Sequence, residues 1–289
     1  MIIYIKLVLT AFFWGGTFIA GKVLAQNVGP FSASFLRFLT ASFCLILITW
    51  KVEGSFPVIH RKQIFPVILL GLSGVFSYNV FFFKGLRLIE AGRASIIIAN
   101  NPIFITLLSW LIFREKLTLV KFVGVLISVT GAVIVISRGN LNGIMTAGLG
   151  FGEFFIFCCV ASWVCYSLIG KAVMNDLSPL ASVTYSAIIG TACLCIPALL
   201  EGMLSDMSHY MVSEWISIFY LGFFGTVLGF VWYYEGIKRI GPSRASLFIN
   251  FVPIFAIILA FLILKEPITL SLFIGTIFVC MGVYLTNRP

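Results

Sequence analysis

Charged residues are scarce in this sequence. Asp, Glu, Lys and Arg make up 10% of the 289 residues, whereas 61% are hydrophobic and the mean hydropathy is +1.12. Soluble domains carry about 25% charged residues, so a chain with so few could not cover the surface of a soluble fold. We therefore expect a lipid bilayer to surround this chain. The net charge of +9 comes from basic residues in the loops between apolar runs. Basic residues in such loops orient membrane proteins, so the charge does not predict a nucleic-acid partner.

Residues suited to catalysis or metal binding are also few. The two histidines, His60 and His209, lie in loop stretches, and the seven cysteines fall within apolar runs. There the cysteines are expected to pack as small hydrophobic side chains. The apolar runs contain neither a zinc-ligand spacing nor a nucleophile beside a base. We predict no catalytic residue, no metal site and no cofactor, which leaves an intramembrane enzyme or a non-transporting scaffold as remote alternatives.

Long apolar runs, in contrast, are abundant. Each has nearly the ~20 residues that a helix needs to cross a bilayer, and most are joined by short connections marked by Pro or Gly. We predict an all-α integral membrane protein with ten transmembrane helices. The predicted segments are 3–25, 32–50, 64–84, 93–113, 119–137, 151–171, 179–200, 214–234, 244–264 and 268–286.

Basic residues are distributed unequally between the predicted loops. If the N-terminus is cytoplasmic, twelve Lys and Arg residues lie on the cytoplasmic side, six lie outside, and Arg37 lies within a span. Loops rich in Lys and Arg remain in the cytoplasm. Both termini are therefore predicted to be cytoplasmic, in a multi-pass protein of the plasma or inner membrane.

The sequence contains an internal repeat. At an offset of 151 residues, RASIIIANNPIFITLLSWLIFREKLTL (93–119) aligns with RASLFINFVPIFAIILAFLILKEPITL (244–270), and about a third of residues 71–131 have identical partners. Near the N-terminus the offset is 149 residues and pairs Trp14 with Trp163. We predict one repeat of five helices over residues 1–140 and a second over residues 141–289.

Five helices per repeat is an odd number, so the two repeats are predicted to have inverted topology. Inverted repeats are usual in secondary transporters, whose binding site lies near the membrane midplane between the repeats. We therefore predict transport of a small-molecule substrate by alternating access around a central cavity. The protein is expected to be a monomer or a weak homodimer in the lipid bilayer.

The stretches AFFWGGTFIAGK, SFLRFLTA and RASIIIANNPIFITLLSWLIFREKLT, with their second copies, resemble the EamA family of the drug/metabolite transporter superfamily. The resemblance covers nearly the whole chain. It implies ten helices, two cytoplasmic termini, and export or facilitated passage of amino acids, related metabolites or drugs. A multidrug or toxic-cation exporter and a metabolite importer remain open as alternatives.

Polar and aromatic residues within the apolar runs are candidates for the cavity wall, because polar groups in a membrane face protein or water. The predicted substrate-binding residues are Trp14, Thr17, Ser77, Tyr78, Asn79, Asn100, Asn101, Trp163, Tyr166, Trp232, Tyr233 and Asn250. Small-residue stripes can instead serve helix packing. Trp232 and Tyr233 can equally belong to an aromatic belt at the headgroups.

A second group of residues is predicted to form hinges or gates. Pro102 and Pro253 occupy equivalent positions in the two repeats and should bend paired helices. Arg37 has either a structural role or a role in attracting a carboxylate or closing a gate, and the structural role is favoured. Glu115 and Glu266 follow equivalent helices among basic residues, where fixing a loop or gate is favoured over carrying protons. The repeat keeps the prolines but not the amides, so Asn100, Asn101 and Asn250 are expected to break the symmetry for an asymmetric substrate.

Overall fold

The computed structural model describes residues 2–55, 57–113, 118–136, 150–241, 244–245 and 247–286. Within these ranges the chain is helical, with short turns and no β-strand. Six helices are long and apolar enough to cross a membrane, with 22 to 29 residues each. They are α1 (Ile2–Asn27), α2 (Pro30–Glu53), α3 (Arg61–Leu88), α7 (Phe151–Val173), α8 (Pro179–Leu200) and α10 (Val212–Ile240).

The remaining helices are shorter. They are α4 (Ala91–Ile98), α5 (Asn101–Phe113), α6 (Leu119–Ile136), α9 (Met203–Asp206), α11 (Phe251–Leu259) and α12 (Leu270–Thr286). A 3₁₀ turn, Leu247–Asn250, precedes α11, and a π-helical segment, Ala260–Leu264, follows it. The predicted segment 93–113 is therefore divided into two helices. The predicted segment 244–264 likewise changes helix type along its length.

Local sequence sets several helix ends. Pro30 and Pro179 begin α2 and α8, where the missing N–H of proline costs no helical hydrogen bond. Ser178 precedes α8 and accepts a hydrogen bond from the N–H of Ala181 at 3.0 Å. Gly54 ends α2 with a φ of 71°, a left-handed conformation that glycine adopts without steric cost.

Two long helices contain an irregular segment at matching positions of the repeat. In α3, residues Gly71–Ser77 form a π-helix, and in α10, residues Leu221–Leu228 do the same. An offset of 151 residues places 71–77 on 222–228. A π-helical segment contains an extra residue within a turn and displaces local backbone hydrogen bonds. Both halves of the chain therefore share the same departure from α-helical geometry.

Helices of one half pack mainly against helices of the other. Helix α1 packs against α10 and α11, and α7 packs in the same way against α3, α4 and α5. Helix α2 contacts the π-helical segment of α10, and α8 contacts that of α3. Helices α2 and α8 also contact each other, as do α6 and α12. The packing therefore follows the repeat, with each half supplying equivalent partners to the other.

Glycines allow the closest of these approaches. Thr17 of α1 packs on Gly225 of α10, and its repeat equivalent Tyr166 of α7 packs on Gly74 of α3. A Cβ atom at either glycine would collide with the facing side chain. Small residues are used in this way where membrane helices cross closely.

Candidate functional site

A small cavity lies where the two halves of the chain meet. Its volume is about 30 Å³, which is room for about two water molecules. Helices α1, α2, α3, α4, α5, α7, α10 and α11 and the 3₁₀ turn before α11 all contribute to its wall. The lining residues are Trp14, Thr17, Phe18, Arg37, Tyr78, Phe82, Ile98, Asn101, Trp163, Phe230, Ile249 and Val252.

Aromatic rings form most of the cavity wall. Trp163 lies at the centre, with ring centroids 5.3 Å from Trp14, 5.3 Å from Tyr78 and 5.1 Å from Phe230. The indole Nε1 of Trp14 donates to the backbone carbonyl of Gly225 at 2.9 Å. The equivalent Nε1 of Trp163 is buried without a hydrogen-bond partner among the described residues. These edge-on and tilted ring contacts give the cavity a rigid apolar wall.

Arg37 is the charged residue of this cavity wall. It is 3% exposed and lies seven residues after the start of α2, about 10 Å along the helix axis. Its Nε donates to Thr226 Oγ1 at 3.1 Å, and its Nη1 donates to Asn79 Oδ1 at 2.8 Å. Both acceptors are neutral, so neither supplies the guanidinium with an opposite charge.

The two acceptors of Arg37 are themselves anchored to the π-helical segments. Asn79 Nδ2 donates to the carbonyl of Val75 at 2.8 Å, within the π-helical segment of α3. Thr226 Oγ1 donates to the carbonyl of Leu221 at 3.0 Å, within the corresponding segment of α10. Irregular backbone in both halves therefore fixes the orientation of one buried cation.

The two halves contribute unequally to the cavity, with eight lining residues from the first half and four from the second. All four of its residues from the second half are repeat equivalents of first-half residues. Trp163 corresponds to Trp14, Phe230 to Asn79, Ile249 to Ile98, and Val252 to Asn101. The two amides of the first half are thus replaced by a phenyl ring and an isopropyl group. Polar groups face the cavity from the first half, whereas the second half presents an almost apolar surface.

Five predicted residues line the cavity: Trp14, Thr17, Tyr78, Asn101 and Trp163. The amide oxygen of Asn101 is buried and has no hydrogen-bond partner among the described residues. Thr17 Oγ1 is occupied, since it donates to the carbonyl of Trp14 at 2.6 Å. Asn101 therefore offers the cavity an uncommitted polar group.

Three further predicted residues form a layer behind the wall. Asn79 orients Arg37, as described above. The ring of Tyr166 packs on Trp163, with centroids 5.4 Å apart, and its hydroxyl lies 3.1 Å from Ser186 Oγ. The ring of Tyr233 packs on Trp14 at 5.2 Å. None of these three is in direct contact with the cavity.

Four predicted residues lie away from the cavity. Ser77 is half-buried at the end of the π-helical segment of α3. Trp232 lies beside Lys6, whose Nζ is 5.9 Å from the ring centroid. Asn250 ends the 3₁₀ turn, and its buried amide oxygen has no partner within the described part of the chain. Asn100 faces α6, where its Oδ1 accepts from Ser128 Oγ at 2.9 Å.

The predicted hinge prolines lie just after the irregular backbone of each half. Helix α4 ends at Ile98, four residues before Pro102, and the 3₁₀ turn includes Ile249, four residues before Pro253. A proline cannot donate a hydrogen bond to the carbonyl four residues earlier, and its ring crowds that carbonyl. The prolines account for the position of both irregularities. Glu115, a further predicted hinge or gate residue of the first half, lies outside the described residues.

Glu266 belongs to a charged cluster at one end of the helix bundle, which we call the Glu266 cluster (Lys22, Arg93, Glu153 and Glu266). The carboxylate of Glu266 accepts from the N–H groups of Ala91 at 3.0 Å and Gly92 at 3.2 Å. It thus caps the N-terminus of α4 from the other half of the chain. A carboxylate is stabilised there by the free N–H groups and the helix dipole.

The other members of the Glu266 cluster also join helices. Arg93 of α4 and Glu153 of α7 form a buried ion pair at 3.1 Å. Lys22 Nζ donates to the carbonyls of Leu86 and Ile89 at 2.8 Å each, at the end of α3. The cluster therefore ties both halves together at this end of the bundle.

The opposite end of the bundle is joined differently. Lys6 of α1 and Glu235 of α10 form an ion pair at 2.7 Å, with about a quarter of each side chain exposed (29% and 27%). Arg244, the repeat equivalent of Arg93, is exposed, whereas Arg93 is 7% exposed. The Glu266 cluster thus has no equally buried counterpart among the residues described at the other end.

Several lining residues were absent from the sequence-based prediction. Phe18, Phe82, Ile98, Phe230, Ile249 and Val252 line the cavity but resemble the many other apolar residues of the spans. The repeat carried a usable signal for two of them. Phe230 and Val252 are equivalent to the predicted residues Asn79 and Asn101, so these two candidates in the first half could have been mapped onto the second.

Comparisons with known proteins agree over nearly the whole chain. The sequence model of the EamA-like transporter family matches residues 1–137 and residues 150–288. The uncharacterized transporter YyaM of Bacillus subtilis is 31% identical over 281 residues, which cover 97% of this chain and 92% of that protein. An uncharacterized transporter of Archaeoglobus fulgidus is 30% identical over 289 residues, covering 99% of this chain and 98% of the relative.

Two more distant matches extend the comparison. A WAT1-related chloroplastic protein of Arabidopsis thaliana is 24% identical over 290 residues, which cover 96% of this chain and 67% of that protein. The crystal structure of a protein 20% identical in sequence matches with a TM-score of 0.71, covering 98% of this chain and 96% of the other. At this level of identity, the structural match shows a shared fold.

Proposed function

This chain belongs to the EamA-like transporter family and is a multi-pass membrane transporter, and we propose that it exports small metabolites by alternating access. Amino acids and related compounds are the proposed substrates. The observation that carries this proposal is the cavity between the two halves, which combines a rigid aromatic wall with Arg37 and Asn101. Binding sites for small molecules are typically apolar pockets with a few well-placed polar groups.

The size of the cavity supports a transport cycle with moving helices. At about 30 Å³ it is far smaller than the ~300 Å³ at which ligand pockets usually begin. The substrate therefore enters only when the helices around the cavity separate. The structure corresponds in this proposal to a closed state between two open ones.

We propose ten membrane crossings, arranged as two inverted repeats over residues 1–140 and 141–289. Helices α4 and α5 together form one crossing, and the helical stretch Phe248–Leu264 forms the equivalent one. The reciprocal packing of the halves and the π-helical segments at matching positions support this arrangement. Alternating access then follows from exchanging the conformations of the two repeats.

We propose that the Glu266 cluster forms the outer gate. With both termini cytoplasmic, α1 and α3 end outside, so Lys22, Arg93, Glu153 and Glu266 all lie at the outer end of the bundle. Their ion pair and helix cap join the two halves there. Opening to the outside requires these contacts to break, whereas the Lys6–Glu235 pair closes the cytoplasmic end.

The proposal is tested by transport into proteoliposomes. The purified protein is reconstituted, and uptake of labelled L-phenylalanine and L-leucine is measured with and without a pH gradient. Trp14→Ala and Asn101→Ala are expected to lower the initial rate about ten-fold or more, because each removes a group that faces the substrate. Trp50→Ala and Asn175→Ala are matched controls at exposed positions and should transport like the wild type.

Two results would contradict the proposal. Wild-type rates in both cavity variants would show that the substrate passes elsewhere. A wild-type protein that moves neither amino acid would exclude them as substrates. Rates that depend on the pH gradient would show proton coupling, which needs a carrier other than a cavity carboxylate, since no described carboxylate lines the cavity.

A further inference from the structure

Arg37 is a buried cation that faces the cavity without an anionic partner among the described residues. Resting on the proposed transport function, we propose that Arg37 binds the carboxylate of the substrate, so that the site takes organic acids and zwitterions with an apolar body. This assignment replaces the structural role that the sequence favoured for Arg37. Its support is the distribution of charge, the orientation of the guanidinium and the polarity of the facing wall.

The distribution of charge leaves Arg37 uncompensated. The ion pairs between described side chains are Lys6–Glu235 and Arg93–Glu153, and neither includes Arg37. No carboxylate lines the cavity in the part of the chain that the structure describes. A charge buried within a membrane is costly unless it is paired. A carboxylate carried in by the substrate supplies the missing charge.

The guanidinium is already oriented for such a ligand. Asn79 and Thr226 hold Nη1 and Nε from behind, and each is anchored to a π-helical segment. No described residue accepts a hydrogen bond from Nη2, and Arg37 borders the cavity. Arginine binds carboxylates through planar, charge-assisted hydrogen bonds. Because the side chain is fixed in advance, little of the binding energy is spent on ordering it.

The other residues of the cavity wall are suited to contact the remaining groups of the substrate. Asn101 lines the same cavity from the first half, and its amide oxygen, which has no partner among the described residues, accepts from an ammonium or hydroxyl group. The second half presents Trp163, Phe230, Ile249 and Val252, which suit an apolar side chain. The substrate is thus oriented with its polar end towards the first half and its apolar body towards the second.

This orientation discriminates against cations. A molecule that carries an ammonium group but no carboxylate would place a second positive charge beside Arg37, in surroundings of low polarity where repulsion is strong. The toxic-cation exporter left open by the sequence is therefore disfavoured by the cavity itself.

Competition against the wild-type protein tests the inference without a variant. Labelled L-phenylalanine uptake into proteoliposomes is measured with unlabelled 3-phenylpropionate, which lacks the ammonium group, or phenethylamine, which lacks the carboxylate. We expect 3-phenylpropionate to inhibit at least about ten-fold more strongly than phenethylamine, the discrimination expected from a charge-assisted hydrogen bond. The assignment would be overturned if 3-phenylpropionate and phenethylamine inhibited uptake equally. It would also be overturned if chloride inhibited uptake as strongly as 3-phenylpropionate.

Variants of Arg37 provide the second test. Arg37→Gln is expected to raise the KM for L-phenylalanine about ten-fold or more and to remove the preference for 3-phenylpropionate over phenethylamine. Arg37→Lys keeps the charge and should retain the preference in weakened form. Arg87→Gln, at an exposed position of α3, is the matched control and should behave like the wild type.

The outcomes separate this inference from the proposed function. If the wild type transports L-phenylalanine and Arg37→Gln keeps its KM and its preference, the role of Arg37 fails while the transport proposal stands. If the wild type transports neither amino acid, both fail. If Arg37→Gln does not fold, the competition experiment with the wild type and the Arg37→Lys variant decides the matter.

Discussion

Asn100 replaces hydrogen bonds that the backbone loses near Pro102. Its Nδ2 donates to the carbonyls of Ile96 at 3.0 Å and Ile97 at 3.3 Å, at the end of α4. Its Oδ1 accepts from Ser128 of α6. One amide thus satisfies the broken end of a helix and attaches it to a neighbouring helix. Every polar atom of this side chain is engaged, so we expect Asn100 to have a structural role.

Replacing the two neighbouring asparagines should separate stability from transport. Asn100→Ala leaves the Ile96 carbonyl and the Ser128 hydroxyl without the amide, at a cost of about 1–3 kcal/mol, whereas the Ile97 carbonyl keeps the backbone N–H of residue 100 at 3.2 Å. We expect its melting temperature in detergent to fall by several degrees. Asn101→Ala removes an amide whose oxygen is unpartnered, so its melting temperature should match the wild type while its transport falls. Equal melting temperatures for both variants would contradict the structural role of Asn100.

The sequence could not separate these two asparagines. Both are amides in the same apolar run, and helical periodicity is lost where α4 ends and α5 begins. Only the positions of Ser128 and the cavity distinguish them, and both depend on tertiary packing. The surroundings of Arg37 could not be predicted for the same reason. Its neutral hydrogen-bond partners come from α3 and α10, which lie far from it in sequence.

Among the helices, those interrupted by proline were the more predictable. A proline within an apolar run removes one helical hydrogen bond to the carbonyl four residues upstream. The structure has irregular backbone there for Pro102 and Pro253, whereas α8 continues through Pro197. The π-helical segments carry no comparable residue signal. Their sequences, GLSGVFS and LGFFGTVL, contain small and apolar residues that are equally compatible with a straight helix. Such an insertion becomes visible only from the hydrogen bonds it displaces.

Helix α4 depends on a carboxylate from a distant part of the chain. Its own N-cap residue, Glu90, makes no side-chain hydrogen bond to the helix. Glu266 supplies the cap instead, through two backbone N–H groups. The cap exists only while the two halves are in contact at this end. Breaking it is therefore coupled to separating the halves.

Glu266→Gln should weaken the proposed outer gate. A neutral amide loses the attraction to the helix dipole, worth about 1 kcal/mol, and the outward-open fraction should rise about five-fold. Accessibility is measured with a cysteine at Ile98, a cavity residue, after replacing the seven native cysteines. A membrane-impermeant maleimide added outside should label it faster in the Glu266→Gln variant. Glu90→Gln, at the same helix end, is the control, and equal labelling in both would contradict the gate.

At the scale of the whole molecule, the two halves interlock rather than lying side by side. Each half ends a helix with a glutamate that contacts the start of a helix in the other half. Glu201 accepts from Ser32 N and Oγ at 2.7 Å each, and Glu53 accepts from Ser178 Oγ. The internal repeat in the sequence predicted that the halves would be related. It could not predict which helices would contact across the interface, because that depends on how helix faces match.

The proposed orientation in the membrane is directly measurable. Alkaline phosphatase and green fluorescent protein are fused to the C-terminus in separate fusion proteins, and small epitope tags mark the N-terminus and the 201–211 loop. Since positively charged loops remain inside, we expect fluorescence without phosphatase activity at the C-terminus. The N-terminal tag should be protected in intact cells, and the tag at 201–211 should be accessible. An accessible N-terminal tag would overturn the proposed topology and place the Glu266 cluster on the cytoplasmic side.

The π-helical segments at matching positions also bear on how the repeat evolved. An extra residue in a helical turn rotates everything that follows by about 100°, so its loss from one copy would turn Asn79 or Tyr233 away from its present neighbours. Both copies hold the segment at the same place, offset by 151 residues. We infer that a single-residue insertion preceded the gene duplication and was inherited twice. The two halves thus differ in the polar residues of the cavity while sharing the same irregular backbone.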